Sequence, residues 1–254
     1  MWQLGTTIRT MRIAETLLAL TLLGAPAGAG TCHDTEFDGA RFTLCEVTAG
    51  QDLRLFWGGP ERQVLGSFAR IDAMLAERGE RLVFAMNAGM YHADRAPVGL
   101  FVEGGEQRAR LVTREGPGNF GLLPNGVFCI GAQGFAVIES RAYAEAPPEC
   151  RDATQSGPML VIDGALHPRF LADSPSVNLR NGVGVSDDGQ RAVFAISNDP
   201  VNFHLFSRLF REGLGLNNAL FLDGSISRLH APELGRSDWG VPMGPVVGLV
   251  APAP

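Results

Sequence analysis

The sequence contains no lysine, so all 21 of its basic residues are arginine. The 27 Asp and Glu residues outnumber them, which gives a formal net charge of -6, and the arginines do not gather into a basic cluster. A nucleic-acid-binding surface needs a patch or stripe of positive charge. The composition therefore argues against a nucleic-acid partner. The lack of lysine is more easily assigned to codon usage than to function, although guanidinium groups do make bidentate phosphate contacts that lysine cannot.

Long hydrophobic runs are also missing. Near the N-terminus, Arg9 and Arg12 precede an apolar run at residues 17–23, and residues 25–29 supply small side chains. This order is typical of a cleaved secretory signal. Residues 1–29 are therefore predicted to be a signal peptide, and the mature protein to be periplasmic or secreted. The run is shorter than the roughly 20 residues that a membrane-spanning helix needs, so no stable membrane insertion is expected after cleavage; a retained anchor is the alternative.

Cysteine is scarce, and its four residues lack the Cys-x-x-Cys or Cys-x-x-His spacing of a zinc site. In an exported protein an even number of cysteines indicates disulfides. Four cysteines allow three connectivities. We favour Cys32 with Cys45 and Cys129 with Cys150, because each pair would close a local turn or loop.

Several sequence motifs of other protein classes are absent. Ser156 lacks the Gly-x-Ser-x-Gly surroundings of a hydrolase nucleophile, and Gly182 and Gly184 lack the third glycine of a dinucleotide-binding loop. No long linker, charge block or internal repeat interrupts residues 30–254. This part of the chain is therefore predicted to be a single domain.

Turn residues are abundant, with 32 Gly and 16 Pro, and they separate short apolar segments, which favours a strand-rich protein. Two stretches have helical spacing instead: one runs from Val64 to a stop at Gly79, and the other begins at Asn198-Asp199-Pro200. Residues 139–151, rich in Ala and Pro, are expected to form a surface loop. Strands mostly follow strands, so the expected fold class is α+β, a strand-rich domain of about ten strands in mixed or antiparallel sheet with two main helices.

Polar residues follow apolar strands directly, at turns that contain glycine. One apolar run ends at Asp223-Gly224, and the run before Asn87 ends in the same way at Gly89. Rigid elements present reactive groups at such strand ends, although Asp and Asn are also common turn formers. Arg180 precedes another glycine-rich apolar strand, where a guanidinium group can hold an anion close to the backbone.

In order along the chain, four segments resemble the phosphodiester glycosidase family: Asn87 to Tyr91, Gln155 to Pro158, Arg180 with Gly184, and Leu222 to Ser227. The resemblance covers roughly residues 81–250. One departure is Ser225, because the family commonly has a second glycine at this position, and the change affects the turn that follows Asp223.

The resemblance implies hydrolysis of the glycosidic bond of a sugar-1-phosphodiester, or of a phosphoglycan with this linkage. No metal site and no cofactor are predicted, and the sequence leaves a metal requirement open. The leaving group is a phosphate ester anion that is stable without protonation, so a cation matters more than a strong general acid. Arg180 is assigned to the phosphate, and Asp223 to the anomeric carbon as nucleophile or as base for water. Asn87 completes the predicted catalytic set. The predicted substrate-binding residues are Gly89, Ser156, Gly157, Gly224 and Ser227.

Two alternatives stay open on the sequence. A metal-dependent phosphodiesterase would break the P–O bond and would use Asp223 with Asp187, Asp188 or His92. A non-catalytic glycan-binding domain of the envelope would use the same loops to hold a ligand without turnover.

Overall fold

The computed structural model describes residues 1–2, 32–59, 63–223 and 226–254. In this part of the chain, strands form three sheets of seven, five and five strands. In chain order the strands are β1 (Cys32–Phe37), β2 (Ala40–Thr48), β3 (Leu53–Phe56), β4 (Glu80–Asn87), β5 (Phe101–Glu103), β6 (Glu106–Ala109), β7 (Gly126–Gly131), β8 (Gly134–Glu139), β9 (Asp152–Ser156), β10 (Met159–Ile162), β11 (Ala165–Leu166), β12 (Asn181–Val185), β13 (Arg191–Ser197), β14 (Asn218–Asp223), β15 (Leu229–Ala231), β16 (Arg236–Ser237) and β17 (Val246–Pro252).

The strand orders are β1-β2-β13-β12-β14-β10-β11 in the first sheet, β16-β15-β4-β17-β3 in the second and β6-β5-β9-β7-β8 in the third. Every pairing between these strands is antiparallel. The helices are α1 (Phe68–Ala76), α2 (Ser140–Glu145) and α3 (Phe203–Arg208), with a π-helical turn at Leu209–Gly213 and a 3-10 turn at Pro232–Leu234. The predicted α+β class is confirmed, with more and shorter strands than expected.

The three sheets share one central core, and a helix covers the outer face of each. Phe194 of the first sheet contacts Phe84 of the second and Phe128 of the third, with ring centroids 5.6 Å apart in both pairs. Helix α3 packs on the first sheet through Phe206, α1 on the second sheet through Ile71, and α2 on the third sheet through Tyr143. Because each sheet is buried on both faces, the strand ends are where polar groups can meet without crossing the core.

Two helix predictions need correction. The segment at residues 139–151 is not all loop, because Glu139 caps α2 by accepting hydrogen bonds from the N–H groups of Arg141 and Ala142. The predicted second helix begins later than Asn198. The Asn198 amide bonds to Thr43 instead, and the N-cap of α3 is Asn202, whose side chain accepts from the N–H of Leu205 at 2.8 Å.

Both predicted disulfides are confirmed: Cys32 is bonded to Cys45 and Cys129 to Cys150. The first joins β1 to β2, and the second ties the segment after α2 to β7. The predicted signal peptide, residues 1–29, lies outside the described residues apart from its first two. Among the described residues, no helix has both the length and the apolar character needed to cross a membrane.

Candidate active site

Two buried asparagines join the first sheet to the second. Asn87 is the last residue of β4, Asn181 is the first residue of β12, and neither side chain is exposed. Nδ2 of Asn87 donates to Oδ1 of Asn181 at 3.0 Å, and Nδ2 of Asn181 donates to the backbone carbonyl of Asn87 at 2.8 Å. The reciprocal pair fixes the ends of these two strands against each other.

Asp223 is held at the same place through its backbone. It is the last residue of β14, pairs with Asn181 across the sheet, and is 8% exposed. Its N–H donates to Oδ1 of Asn181 at 3.2 Å. The strand register shifts between Asn181 and Gly182, and such an irregularity redirects the side chains at a strand end.

The chain beyond Asp223 returns to the asparagine pair. Gly224 and Ser225 lie outside the described residues. Ser227 Oγ lies 2.9 Å from the carbonyl oxygen of Asp223, to which it donates. The N–H of Arg228 donates to Oδ1 of Asn87 at 2.9 Å. Asn87 therefore uses its amide nitrogen toward Asn181 and its amide oxygen toward Arg228.

The third sheet supports the residue before Asp223. Ser156 is the buried last residue of β9, and its hydroxyl donates to the carbonyl of Leu222 at 2.8 Å. Gly157 follows, and a Cβ at this position would lie 2.5 Å from Cβ of Asn125, so the close approach requires glycine. The structure thus brings Ser156 to the site as a support of β14.

Gly89 lies where β4 leaves the sheet and approaches the third sheet. Its φ is 156°, and a Cβ there would lie 3.0 Å from Oγ1 of Thr154. That hydroxyl donates to the carbonyl of Ala88 at 2.8 Å. Gly89 therefore permits the contact between the end of β4 and β9.

The sequence places Arg180 in the predicted catalytic set, and in the structure its side-chain contacts lie on the α3 side of the first sheet. Neighbouring residues of a strand face opposite sides of a sheet, and the Arg180 guanidinium lies on the α3 side, 3.7 Å from the ring centroid of Phe203. Its Nε donates to the carbonyl of Val201 at 2.8 Å and its Nη2 to that of Ser176 at 3.0 Å. The residue is 1% exposed, and burial lowers its pKa to about 10.

Tyr91, which was not among the predicted site residues, links Asp223 electrostatically to two arginines. Burial raises the pKa of Tyr91, and the charge of Asp223 raises it further, whereas the charges of Arg95 and Arg228 lower it. The Arg95 guanidinium lies 5.3 Å from the Tyr91 ring centroid. Nη1 of Arg228 donates to the carbonyl of Val241 at 2.7 Å. A carboxylate, a phenol and two partly exposed guanidinium groups therefore share one region.

The two carboxylates that a metal-dependent phosphodiesterase would use together with Asp223 do not lie beside it. Asp187 and Asp188 lie in the turn after Val185, so they are at one end of β12 and Asn181 is at the other. At the usual rise per residue, the two ends of a strand of this length are roughly 13 Å apart. Asp188 accepts hydrogen bonds from Ser186 and Gln190 within that turn. Across the described ranges, no group of three or more His, Cys, Asp and Glu side chains is placed to hold a metal ion.

Comparison with known proteins decides the family. The sequence profile of the phosphodiester glycosidase family matches residues 80–231, which is more than half of the chain. The chain belongs to the phosphodiester glycosidase family. Asn87, Asn181, Asp223 and Arg228 all lie within the matched region, so the resemblance expected from the sequence is confirmed.

One relative of this chain is the uncharacterized protein YigE of Escherichia coli strain K12, which is 31% identical over 230 residues, 89% of each chain. A solved structure with a similar fold is the zebrafish N-acetylglucosamine-1-phosphodiester alpha-N-acetylglucosaminidase catalytic domain, auto-inhibited by its pro-peptide. The TM-score is 0.58 at 14% identity, and the match covers 87% of this chain and 81% of the zebrafish chain. At this identity the likeness shows the shared fold.

Proposed function

We propose that this protein is an exported hydrolase that cleaves the glycosidic bond of a sugar-1-phosphodiester in an envelope or extracellular glycoconjugate. The observation that carries the proposal is the support of Asp223, which ends a buried strand at a point where all three sheets meet. Its backbone bonds to Asn181 and Ser227, and Ser156 holds the preceding residue. A carboxylate on a backbone that is fixed in this way suits the stabilisation of charge at one fixed atom. The N-terminal pattern and the two disulfides support export.

In this proposal, the bond between the anomeric carbon and the phosphate oxygen breaks, and its electron pair stays on that oxygen. The phosphate monoester leaves as an anion and needs no proton from the enzyme. Asp223 stabilises the positive charge on the anomeric carbon, either by taking a proton from the attacking water or by bonding to that carbon before water does. Water supplies the new hydroxyl of the sugar: one of its protons stays on that hydroxyl, and the other ends in solvent, by way of Asp223 where Asp223 acts as the base.

Arg228 is the cation that we place at the phosphate. It is partly exposed, its N–H is fixed by Asn87, and its charge acts on the same Tyr91 hydroxyl as the charge of Asp223. The assignment of the phosphate to Arg180 stays a prediction. In the structure the Arg180 guanidinium lies against the Phe203 ring and donates hydrogen bonds to the carbonyls of Val201 and Ser176.

The remaining predicted residues act in this proposal through position. Asn87 and Ser156 hold the strands that support Asp223, Ser227 bonds to the carbonyl of Asp223, and Gly89 and Gly157 allow the strands to approach. Contacts of these residues and of Gly224 with substrate stay predictions.

Product analysis after incubation with a panel of sugar-1-phosphodiesters tests the proposal. We expect free sugar and a phosphate monoester from the wild type, and a fall in turnover of about 10²- to 10⁴-fold in Asp223→Asn. Asp187→Asn is the matched control, because this exposed carboxylate lies at the far end of β12. Binding of a diester by the wild type without turnover would favour a glycan-binding domain instead, and equal turnover in Asp223→Asn and Asp187→Asn would remove Asp223 from the mechanism.

A further inference from the structure

A serine, a histidine and an aspartate lie in series at the outer edge of the second sheet. Nδ1 of His230 is 2.9 Å from Oγ of Ser237, and Nε2 of His230 is 3.3 Å from Oδ2 of Asp72. The histidine belongs to β15, the serine to β16 and the aspartate to α1. None of the three takes part in the glycosidase mechanism proposed above. Together they have the composition of a hydrolase triad, which is defined by the roles of its groups and not by their order in the chain.

Asp72 is held so that one of its oxygens faces the histidine. Its Oδ1 accepts from the N–H of Leu82 at 2.8 Å, and its Oδ2 is the oxygen near His230. Nε2 of His230 is buried and makes no regular hydrogen bond, so the facing carboxylate favours a proton on this nitrogen. In a neutral imidazole with the proton on Nε2, Nδ1 is free to accept the hydrogen of the Ser237 hydroxyl.

The surroundings of His230 keep its ring neutral and in place. The Phe68 ring packs beside it, with ring centroids 5.6 Å apart. Burial lowers the pKa of His230 more than the charge of Asp72 raises it, and a neutral imidazole is the form that takes a proton from a hydroxyl. Ser237, by contrast, is exposed, so a substrate can reach its hydroxyl from solvent.

A backbone donor lies next to this hydroxyl. In the part of the chain that the structure describes, β16 is the outer strand of the second sheet. The N–H of Asp238 donates to the carbonyl of Leu229 at 2.9 Å, and the N–H groups of successive strand residues point to opposite sides. The N–H of Ser237 therefore points to the open edge of the sheet, where it can donate to an oxygen that becomes negative during acyl transfer.

We propose that Ser237, His230 and Asp72 form a second hydrolytic site, which cleaves esters of carboxylic acids. Ser237 Oγ attacks the carbonyl carbon of the ester, and its proton passes to Nδ1 of His230. The bond between that carbon and the alcohol oxygen breaks, and the alcohol leaves with the proton from Nδ1. Water then attacks the acyl group on Ser237 in the same way, which releases the acid and restores the serine hydroxyl. Asp72 stabilises the ring while it is protonated.

The charge at this site favours an uncharged ester over a phosphate ester. Asp72 is the charge that acts on His230. The guanidinium group of Arg236, the residue before Ser237, is directed to the first sheet, where Nη1 donates to Oδ1 of Asn198 at 2.7 Å. A phosphate anion bound at Ser237 would thus lie near a carboxylate and be repelled by it, whereas a neutral carboxylic ester would not.

Labelling with a fluorophosphonate, whose phosphorus bonds to an activated serine oxygen and loses fluoride, tests the site. We expect mass spectrometry to find the label on Ser237 of the folded protein and not of the protein unfolded in urea. Asp72→Asn keeps an oxygen for the N–H of Leu82 but turns an amide N–H toward Nε2, which moves the imidazole proton to Nδ1. The rate of labelling should therefore fall about 10²- to 10⁴-fold. Absence of label on Ser237 in the folded wild type would overturn the proposal, as would equal labelling rates in the wild type and Asp72→Asn.

Hydrolysis of 4-nitrophenyl acetate measures turnover at the same site. We expect Ser237→Ala to lose about 10²- to 10⁴-fold in kcat/KM and to unfold at the wild-type temperature, because the lost hydroxyl is exposed. Ser176→Ala, which replaces an exposed serine of the loop before Arg180, is the control and should keep the wild-type rate. Equal rates in Ser237→Ala and Ser176→Ala would overturn the proposal. Neither experiment uses a sugar-1-phosphodiester, so both outcomes are independent of the proposed glycosidase function.

Discussion

Asn87 and Asn181 exchange two hydrogen bonds across the boundary between two sheets, at 3.0 and 2.8 Å. The Asn181 oxygen also accepts from the N–H of Asp223, and the Asn87 oxygen accepts from the N–H of Arg228. One pair of buried amides therefore fixes the backbone of the two residues that carry the proposed catalytic carboxylate and the proposed phosphate-binding cation. The geometry of the candidate active site therefore depends on the hydrogen bonds between Asn87 and Asn181.

Replacing Asn181 with Ala should lower the free energy of unfolding by about 1–3 kcal/mol, because it leaves buried polar groups of Asn87 and Asp223 without their partner. Turnover should fall while KM changes less, since the backbone of Asp223 loses its support. Urea unfolding and steady-state kinetics measure the two effects. Asn178→Ala, an exposed asparagine three residues earlier, is the control for stability.

A double-mutant cycle on Asn87 and Asn181 measures the pair itself. Residues that share hydrogen bonds show coupling energies of about 0.5–3 kcal/mol. We expect the double Ala variant to be less destabilised than the sum of the two single variants. Additive effects would show that the two amides act independently and would contradict the account of the site.

Arg228→Ala and Arg180→Ala should have different consequences. Loss of Arg228 should lower kcat/KM by about 10²- to 10³-fold, as expected for a group that stabilises developing charge, with unfolding little changed. Loss of Arg180 should lower the free energy of unfolding by about 2–4 kcal/mol, because the buried carbonyls of Val201 and Ser176 lose their donor. Kinetics and thermal unfolding of both variants distinguish the roles. If Arg180→Ala stays stable and shows a larger fall in kcat/KM than Arg228→Ala, the phosphate-binding role belongs to Arg180.

Ser156→Ala tests the support from the third sheet. Removing the hydroxyl that bonds to Leu222 should cost about 1 kcal/mol of stability and should also reduce kcat. Ser140→Ala removes another buried hydroxyl of similar kind, which accepts from Gln155 at 2.7 Å without touching β14. The Ser140→Ala control should lose comparable stability and keep its kcat. An equal fall in kcat in both variants would show that the loss of activity comes from general destabilisation and not from the lost bond to Leu222.

Stability should depend on pH through His167. This side chain is 1% exposed and stacks on Phe170, with ring centroids 4.6 Å apart, and burial lowers its pKa. The unfolded chain protonates His167 near its ordinary pKa of about 6.5, but the folded protein does so at lower pH. The unfolded state therefore binds more protons as pH falls below 6.5, and the free energy of unfolding decreases there.

Urea unfolding on either side of that pH checks the prediction. His167→Gln should show a shallower decrease, although His230 keeps part of it, because burial also lowers the His230 pKa. A steeper decrease in the variant would show that His167 does not cause the effect.

The sequence allowed prediction of the fold class, both disulfides and the strand ends that carry Asn87 and Asp223, because apolar runs and turn residues encode these locally. Asn181 and Arg228 were missed. Each directly follows a residue that was chosen, Arg180 and Ser227. Which of two neighbouring side chains meets Asn87 and Asp223 is decided by how the sheets and α3 pack, and the spacing of residues in the sequence does not encode this packing.

The start of the second helix shows the same limit. Asn198, Asp199 and Pro200 carry a strong local signal for a helix start, yet Asn198 bonds to Thr43 and Asp199 accepts from Arg41 at 2.6 Å. These distant partners satisfy the groups that would otherwise cap a helix, and Asn202 takes the role. Contacts far apart in sequence therefore overrode a local preference.

Hydrolysis of a sugar-1-phosphodiester in heavy-oxygen water tests the central claim most directly, because it shows which bond breaks. The account predicts that mass spectrometry finds the heavy oxygen in the released sugar and not in the phosphate monoester. Heavy oxygen in the phosphate would mean cleavage of the P–O bond and would contradict a glycosidase mechanism centred on Asp223.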